Sequence, residues 1–373
     1  MKWMKRTPGP AAQAVQTAPA GTPFPAIGGY VPLGPGERRL YDALREAVPV
    51  IDAAVEKIIR LTGGFAVRCE GAAQRELDGF LRSVPVNSAG MGVQSFLDGY
   101  LSQLLTYGNA VGEMVPGGGT IAALYNASLD DVELRRKTPL KTEIYRREAG
   151  GSVKIRYPEL TFCSALNPPP GSAHGVSLLR GLPFVSGILV QIYNTIGVNW
   201  ERTGSVRFAV TYKPSGDAAD RAYAKERAQQ IASEWGRAMR KDSVSDFVAV
   251  GDVNIRAIGA DSQILDSEVP VRQMLEQIVA KLGLPPFLLG LSWSSTERMS
   301  GQQADILTSE LEAYRRLLTP VIDKICSLWL ALNGYDRRCE VIWDNITLQD
   351  ETELANARLL NARAAQIEAA LPK

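Results

Sequence analysis

Residues 281–298 read KLGLPPFLLGLSWSSTER. Helical apolar patterns lie on both sides of this stretch. Before it, Val271, Met274, Leu275, Ile278, Val279 and Leu282 fall on one stripe. After it, Ile306, Leu307, Leu311, Tyr314, Leu317, Leu318, Val321, Ile325, Leu328, Trp329 and Leu332 repeat the pattern. Between the helices Gly283 stops the first one, Pro285 and Pro286 stiffen the chain, and an apolar run with a Trp fills what ought to be a loop. In a monomer such a loop either folds into the core or presents an exposed apolar patch that calls for a partner.

A second long amphipathic helix lies upstream, marked by Leu182, Val185, Ile188, Leu189, Ile192, Tyr193, Ile196 and Trp200. The segment between the two reads as a compact β-α-β-β insert. It has a strand over 206–212, a polar helix over about 217–240, and strands over 247–250 and 253–258 joined at Gly251-Asp252. Separated in this way, the two long helices can pair as an antiparallel hairpin. A lone hairpin leaves one flank uncovered. Repeating it around a closed ring covers that flank with a neighbour through head-to-tail contacts that close.

The rest of the chain reads as mixed α+β. Residues 1–35 contain seven Pro and five Gly and read as a flexible arm. From Glu37 a helical period runs through Leu40, Leu44, Val48, Ile51, Val55, Ile58 and Ile59, with Pro49 kinking or splitting it. Gly63-Gly64 ends it before a short strand over 65–69. Val93, Phe96, Leu97, Tyr100, Leu101, Leu104 and Leu105 form the next stripe, closed by Gly108-Asn109. A meander of short strands follows over 110–115, 121–125, 132–136, 141–147 and 153–157, then an extended Pro/Gly linker over 167–172. Pro320 falls inside the helix beyond the quoted loop, where it removes a backbone donor and should bend the helix. A strand over 340–343 and an Ala-rich helix over 350–371 complete the chain.

Composition narrows the chemistry. Lys and Arg exceed Asp and Glu by a single charge, so no bulk attraction to nucleic acid or anionic membrane is implied. Cys69, Cys163, Cys326 and Cys339 are scattered without a CxxC pair and His174 is the only histidine, which argues against structural zinc and for reduced, buried thiols. The basic start MKWMKR lacks the apolar run of a secretory signal, and no window offers a membrane span. The chain therefore reads as soluble and intracellular.

No phosphate-binding GxxxxGK[ST], no GxGxxG after a strand and no GxSxG is present. Gly117-Gly118-Gly119 leads into strand residues and reads as a hairpin turn. His174, in a Pro/Gly-rich linker, reads as a loop histidine rather than a general base. Asp130-Asp131 reads as a solvated pair rather than a metal site. The stretch 133–147, ELRRKTPLKTEIYRR, carries six basic residues against two acidic. It is either a phosphate-facing patch or a solvated sheet face with cross-strand ion pairs. Nothing forces an enzyme reading, and no catalytic, cofactor or metal residue is assigned.

The order of these pieces resembles the portal proteins of tailed bacteriophages, of the shorter HK97-like type. The residues that carry the resemblance are Tyr107-Gly108-Asn109-Ala110, the strands after them, Gly175-Val176-Ser177-Leu178-Leu179, the long helix, the α/β insert, the run from Gln277 to Gly290 and the internal Leu318-Thr319-Pro320. It covers most of residues 37–348. Ile278, Gly283, Leu284, Pro285, Pro286, Leu289 and Gly290 form its most telling motif.

The resemblance implies a dodecameric ring at one capsid vertex, assembled in the host cytoplasm, through which double-stranded DNA is packaged and ejected. Its implied partners are the terminase large subunit, a head-tail adaptor and the major capsid protein, with no membrane and no cofactor. Residues 36–180 look like its wing, 181–204 and 261–283 like the stem helices, and 205–260 like the clip. Residues 284–300 look like the tunnel loop, 301–348 like a kinked helix and a strand returning to the wing, and 349–373 like a crown helix.

On this mapping Pro285, Pro286, Phe287, Leu288 and Leu289 pack against the neighbouring subunit. Leu291, Ser292, Trp293, Ser294, Ser295 and Thr296 line the channel. Arg298 either contacts phosphate or forms an ion pair in the next helix's first turn. The short loop and brief C-terminal region depart from the family pattern and imply a small crown. The competing reading is another ring-forming virion or adaptor protein with no channel role.

Overall fold

The computed structural model describes residues 35–138, 140–204, 207–213, 222–238, 252–258, 267–291, 297–346 and 363. The chain starts with α1 (Pro35–Ala47) and α2 (Pro49–Thr62). Pro49 splits the first helical period in two because it opens α2 at a position where its missing N–H costs nothing. Strand β1 (Phe65–Cys69), α3 (Ala73–Ser83), the two-residue strands β2 (Pro85–Val86) and β3 (Gly90–Met91), and α4 (Gly92–Tyr107) follow. Helix α3 and the strands β2 and β3 lie where the sequence reading placed nothing.

Helix α4 is the centre of the core. Val93, Phe96, Leu97, Tyr100, Leu101, Leu104 and Leu105 are all buried. A side chain of this size gains about 1.5–3 kcal/mol when fully buried, so tertiary packing rather than helix propensity holds α4. Gly108 ends it at φ 80°, a left-handed conformation that favours glycine.

The expected single meander divides between two sheets. Strands β4 (Asn109–Gly117) and β5 (Thr120–Asn126) join β2, β3 and β9 (Thr161–Ala165) in the order β3-β2-β5-β4-β9. Strands β6 (Val132–Thr138), β7 (Lys141–Glu148) and β8 (Gly151–Lys154) form a separate antiparallel meander over a small core of their own, built from Val111, Ala127, Leu129, Leu134 and Ile144. Strand β8 ends earlier than the expected 153–157, because Tyr157 leads into a 3-10 turn over Pro158–Leu160.

Helix α5 (Leu182–Gly204) leads to β10 (Arg207–Lys213), α6 (Ala224–Ala238) and β11 (Asp252–Ile258). Strands β10 and β11 pair antiparallel, with α6 packed on β10. The expected strand at 247–250 and its turn at Gly251 lie outside the described residues, as does nearly all of the expected helix at 350–371. Helix α7 (Glu268–Leu282) returns to the core, and α8 (Glu297–Leu332) crosses it. Strand β12 (Cys339–Trp343) then pairs antiparallel with β1.

Helix α8 runs on through Pro320. Near that proline, buried Arg315 donates from Nε to the Thr62 carbonyl at 2.8 Å, at the C-terminus of α2. This is where a helix end carries partial negative charge. Its guanidinium also lies 5.1 Å from the Trp343 ring centroid. Trp343 Nε1 donates to Thr319 Oγ1 at 3.0 Å, and Thr319 Oγ1 donates to the Arg315 carbonyl at 2.8 Å. One arginine thus ties the long helix, the end of α2 and the β1–β12 ribbon together.

Candidate functional site

The two long helices pack against each other, but only their inner halves belong to the body. In α5, Leu182, Ser186 and Leu189 are buried. In α7 the buried residues are Ile278, Val279 and Leu282. Beyond these anchors the pair projects outward. No described side chain of α5 from 190 to 200 is buried, and none of α7 from 268 to 277.

That projecting half is nonetheless apolar. Val190, Tyr193, Val198 and Trp200 of α5 are exposed, with Trp200 at 63%, and so is Val269 of α7. Gly187 and Gly197 lie on the same exposed side of α5, with open space where a Cβ would stand. A helix pair with this composition has apolar surface that none of the described residues buries.

The loop after α7 mostly turns inward. Gly283 caps α7 at φ 69°, and Leu284 and Pro285 are buried in the chain's own core. A 3-10 turn over Pro286–Leu289 packs against α2, with Leu288 and Leu289 partly buried. Phe287 remains exposed at 46%. Of the five residues expected to meet a neighbouring subunit, Phe287 therefore offers the most free apolar surface. Leu291 is half-buried. Ser292, Trp293, Ser294, Ser295 and Thr296 lie outside the described residues. For Arg298 the backbone is helical, at the start of α8.

Two other sequence motifs, more than sixty residues apart, prove to be in direct contact. The linker over 175–179 clamps the C-terminal end of α4. Gly175 N–H donates to Asn109 Oδ1 at 3.1 Å, and Ser177 Oγ donates to the Thr106 carbonyl at 2.6 Å. Leu178 N–H donates to the Leu105 carbonyl at 3.0 Å, and Leu166 N–H to that of Gly108 at 2.8 Å. This clamp fixes where α5 leaves the body. Spacing in the sequence could not reveal it.

The basic stretch on β6 and β7 is laced with ion pairs. Arg135 pairs with Glu133 at 2.8 Å, and Lys137 and Lys154 converge on Glu143 at 3.3 and 2.8 Å. Arg146 pairs with Glu148, and Arg135 stacks over the Tyr145 ring. The salt-bridged sheet face accounts for this stretch better than a phosphate-facing patch does. Its partners hold Glu143 down to about 2, Lys154 foremost. They hold Glu133 at about 2 as well, chiefly through the Arg135 hydrogen bond.

His174 lines a cavity of about 250 Å³ with Arg38, Tyr107, Asn109, Glu133 and Arg147, and no Ser or Cys nucleophile shares that lining. Asp130 accepts from Arg38 Nε at 2.9 Å. Among the described residues no cluster of His, Cys, Asp and Glu is arranged to hold a metal ion, and no helix is long and apolar enough to cross a membrane.

The fold as a whole has counterparts among solved structures. The chain shares its fold with a chain of a gene transfer agent particle. In the virion of the native particle, the alignment covers 93% of this chain and 94% of its counterpart at a TM-score of 0.63 and 15% identity. In the neck of the native particle, computed with C12 symmetry, it covers 87% and 89% at a TM-score of 0.59 and 17% identity. An HK97 family phage portal protein from Corynebacterium diphtheriae aligns over 91% of this chain and 99% of its own, at a TM-score of 0.43 and 12% identity, a likeness too loose to carry weight. No protein-family profile and no curated protein matches the sequence.

Proposed function

We propose that the chain is a portal subunit, one of a ring of identical copies at a capsid vertex that forms the channel for DNA packaging and ejection. The observation that carries this reading is the bare projecting half of the α5–α7 pair. Its exposed Val190, Tyr193, Val198 and Trp200 ask for cover, and a neighbouring copy in a closed ring supplies it without leaving an open end. The shared fold with a chain from a particle neck computed with C12 symmetry supports a ring of twelve.

In this reading α5 and α7 are the stem, 36–180 the wing against the major capsid protein, and 205–260 the clip. The clip docks the terminase large subunit during packaging and the head-tail adaptor afterwards. Residues 284–300 form the tunnel loop, with Ser292–Thr296 and Leu291 toward the DNA and the turn around Phe287 toward the next subunit. Pro320 bends α8 on its way to a small crown at 349–373. The near-neutral charge of the chain suits a channel through which DNA slides, because each strong phosphate contact adds a well to climb out of.

The alternative, a ring-forming neck component without a channel role, is favoured by the same neck likeness. Binding to a terminase large subunit separates the two, since an adaptor has no reason to bind the motor. Replacing Trp293 by Ala tests the tunnel loop. Rings should form as before while the amount of DNA packaged falls, and undiminished packaging would remove Trp293 from the channel.

A further inference from the structure

Three of the four cysteines, Cys69 near the start of the chain and Cys326 and Cys339 near its end, meet on the core face of the β1–β12 ribbon. Cys69 and Cys339 are cross-strand partners. The Asp344 N–H donates to the Gly64 carbonyl at 3.0 Å, and hydrogen-bonded and non-bonded pairs alternate along an antiparallel ladder. Cys69 and Cys339 therefore occupy a non-hydrogen-bonded position. Two side-chain contacts agree with this. The Cys69 N–H donates to Gln74 Oε1 at 2.9 Å, and the Val67 carbonyl accepts from Gln74 Nε2 at 2.8 Å, so both groups point away from β12.

Cα atoms at such a position stand ~4.5 Å apart, within the ~4.4–6.8 Å that a disulfide spans. Cys326 of α8 is fully buried in the core against which Cys69 and Cys339 pack, and α8 packs on β12 beside them. Cys339 and Cys69 are only half-buried.

We propose that these thiols form a redox-active cluster in which Cys339 is oxidised first and closes a disulfide with Cys326, leaving Cys69 as the alternative partner. Exposure assigns the order, because a small oxidant can reach Cys339 but not sealed Cys326. The neighbouring Cys326 thiol also holds the Cys339 thiol below its ordinary value, favouring the thiolate that reacts.

With a hydroperoxide as oxidant, the Cys339 sulfur attacks the peroxide oxygen. The O–O bond breaks, and Cys339 becomes a sulfenic acid as hydroxide or alkoxide leaves. The Cys326 sulfur then attacks the Cys339 sulfur, the S–S bond forms, and hydroxide leaves with the Cys326 proton as water. Two thiols lose two electrons and the peroxide gains them.

The product staples the end of α8 to β12 across the turn at Gly334. Cytosolic thiols stay reduced and extracellular ones do not, so the bond would mark a chain that has left the cytosol. The cluster lies within one chain, so its test stands apart from the proposed ring.

The experiment exposes the reduced, purified full-length chain to hydrogen peroxide. It then blocks free thiols under denaturing conditions and maps the peptides by mass spectrometry. The expected result is loss of two thiols and a peptide pair joining Cys326 to Cys339, with Cys163 still free. In Cys326→Ser the pair should shift to Cys69 and Cys339. Should that variant not fold, the wild-type map still decides. Retention of all four thiols, a bond through Cys163, or a bond between chains would overturn the proposal.

Discussion

Gly175 lies so close to Gly108 that a Cβ on Gly175 would collide with the Gly108 carbonyl oxygen and stand 2.5 Å from the Leu166 nitrogen. The atoms in the way are all backbone, so nothing nearby can swing aside. Gly175→Ala should therefore destabilise the chain by about 1–3 kcal/mol, as overpacking does elsewhere. A lower urea midpoint with an unchanged slope checks this. Wild-type stability would mean that the clamp on α4 is looser than described.

Arg315 supports the core near Pro320. Arg315→Met keeps much of the bulk but leaves the Thr62 carbonyl without its charged donor. The expected loss is about 1.5–3 kcal/mol, the usual range for a hydrogen bond to a charged group. Arg315→Lys should recover only part of it, since an ammonium cannot both reach that carbonyl as a planar fork and lie over Trp343. Denaturation curves of the two variants measure the difference.

Acid should weaken the β6–β7–β8 meander selectively. Glu143 is depressed in the folded chain from 4.5 to about 2 by Lys154 and its other neighbours. A depressed carboxylate stabilises the fold above its unfolded value, and that contribution is lost as pH falls from 4.5 toward about 2. Glu143→Gln should lower stability near neutrality and flatten the decline over that window. Hydrogen exchange of β7 amides across the window reports it, and an equally steep decline in the variant would contradict the assignment.

The exposed face of α5 should matter for association and not for folding. Val190→Asp and Tyr193→Asp change side chains that the chain does not bury. Each should alter monomer stability by no more than about 0.5 kcal/mol, the usual size of a surface effect. The same changes should lower the sedimenting mass of the assembly, because a carboxylate would have to be buried at the contact. Full-sized assemblies from the double variant would move the subunit contact elsewhere.

Much of the fold could be read from residue pattern alone. Pro49 split the first helix, Gly108 and Gly283 closed theirs, and the stripes of α4, α5, α7 and α8 fell where periodicity placed them, although α5 and α7 bury only the inner half of theirs. Helix α3 was missed although Ala73, Leu77 and Phe80 carry a helical spacing, since three apolar positions after a glycine make a thin signal.

Strand β9 was missed for a different reason. The sequence TFCSA borrows its stability from β4, and that pairing is invisible locally. The pairing of β1 with β12, the convergence of Cys69, Cys326 and Cys339, and the Arg315 contacts all depend on chain segments more than two hundred residues apart, or on the packing of α8 against the ribbon. At the candidate site the helix pair was legible. The inward turn of Leu284 and Pro285 was not, because an oily loop reads the same whether it faces its own core or a neighbour's.

The most direct test of self-association is electron microscopy of the purified full-length chain, with sedimentation at micromolar concentration beside it. Under the proposed portal reading, the expected result is a closed ring with a central hole and a mass of about twelve subunits. A folded single chain of 40.5 kDa under those conditions, and no ring in any field, would contradict it.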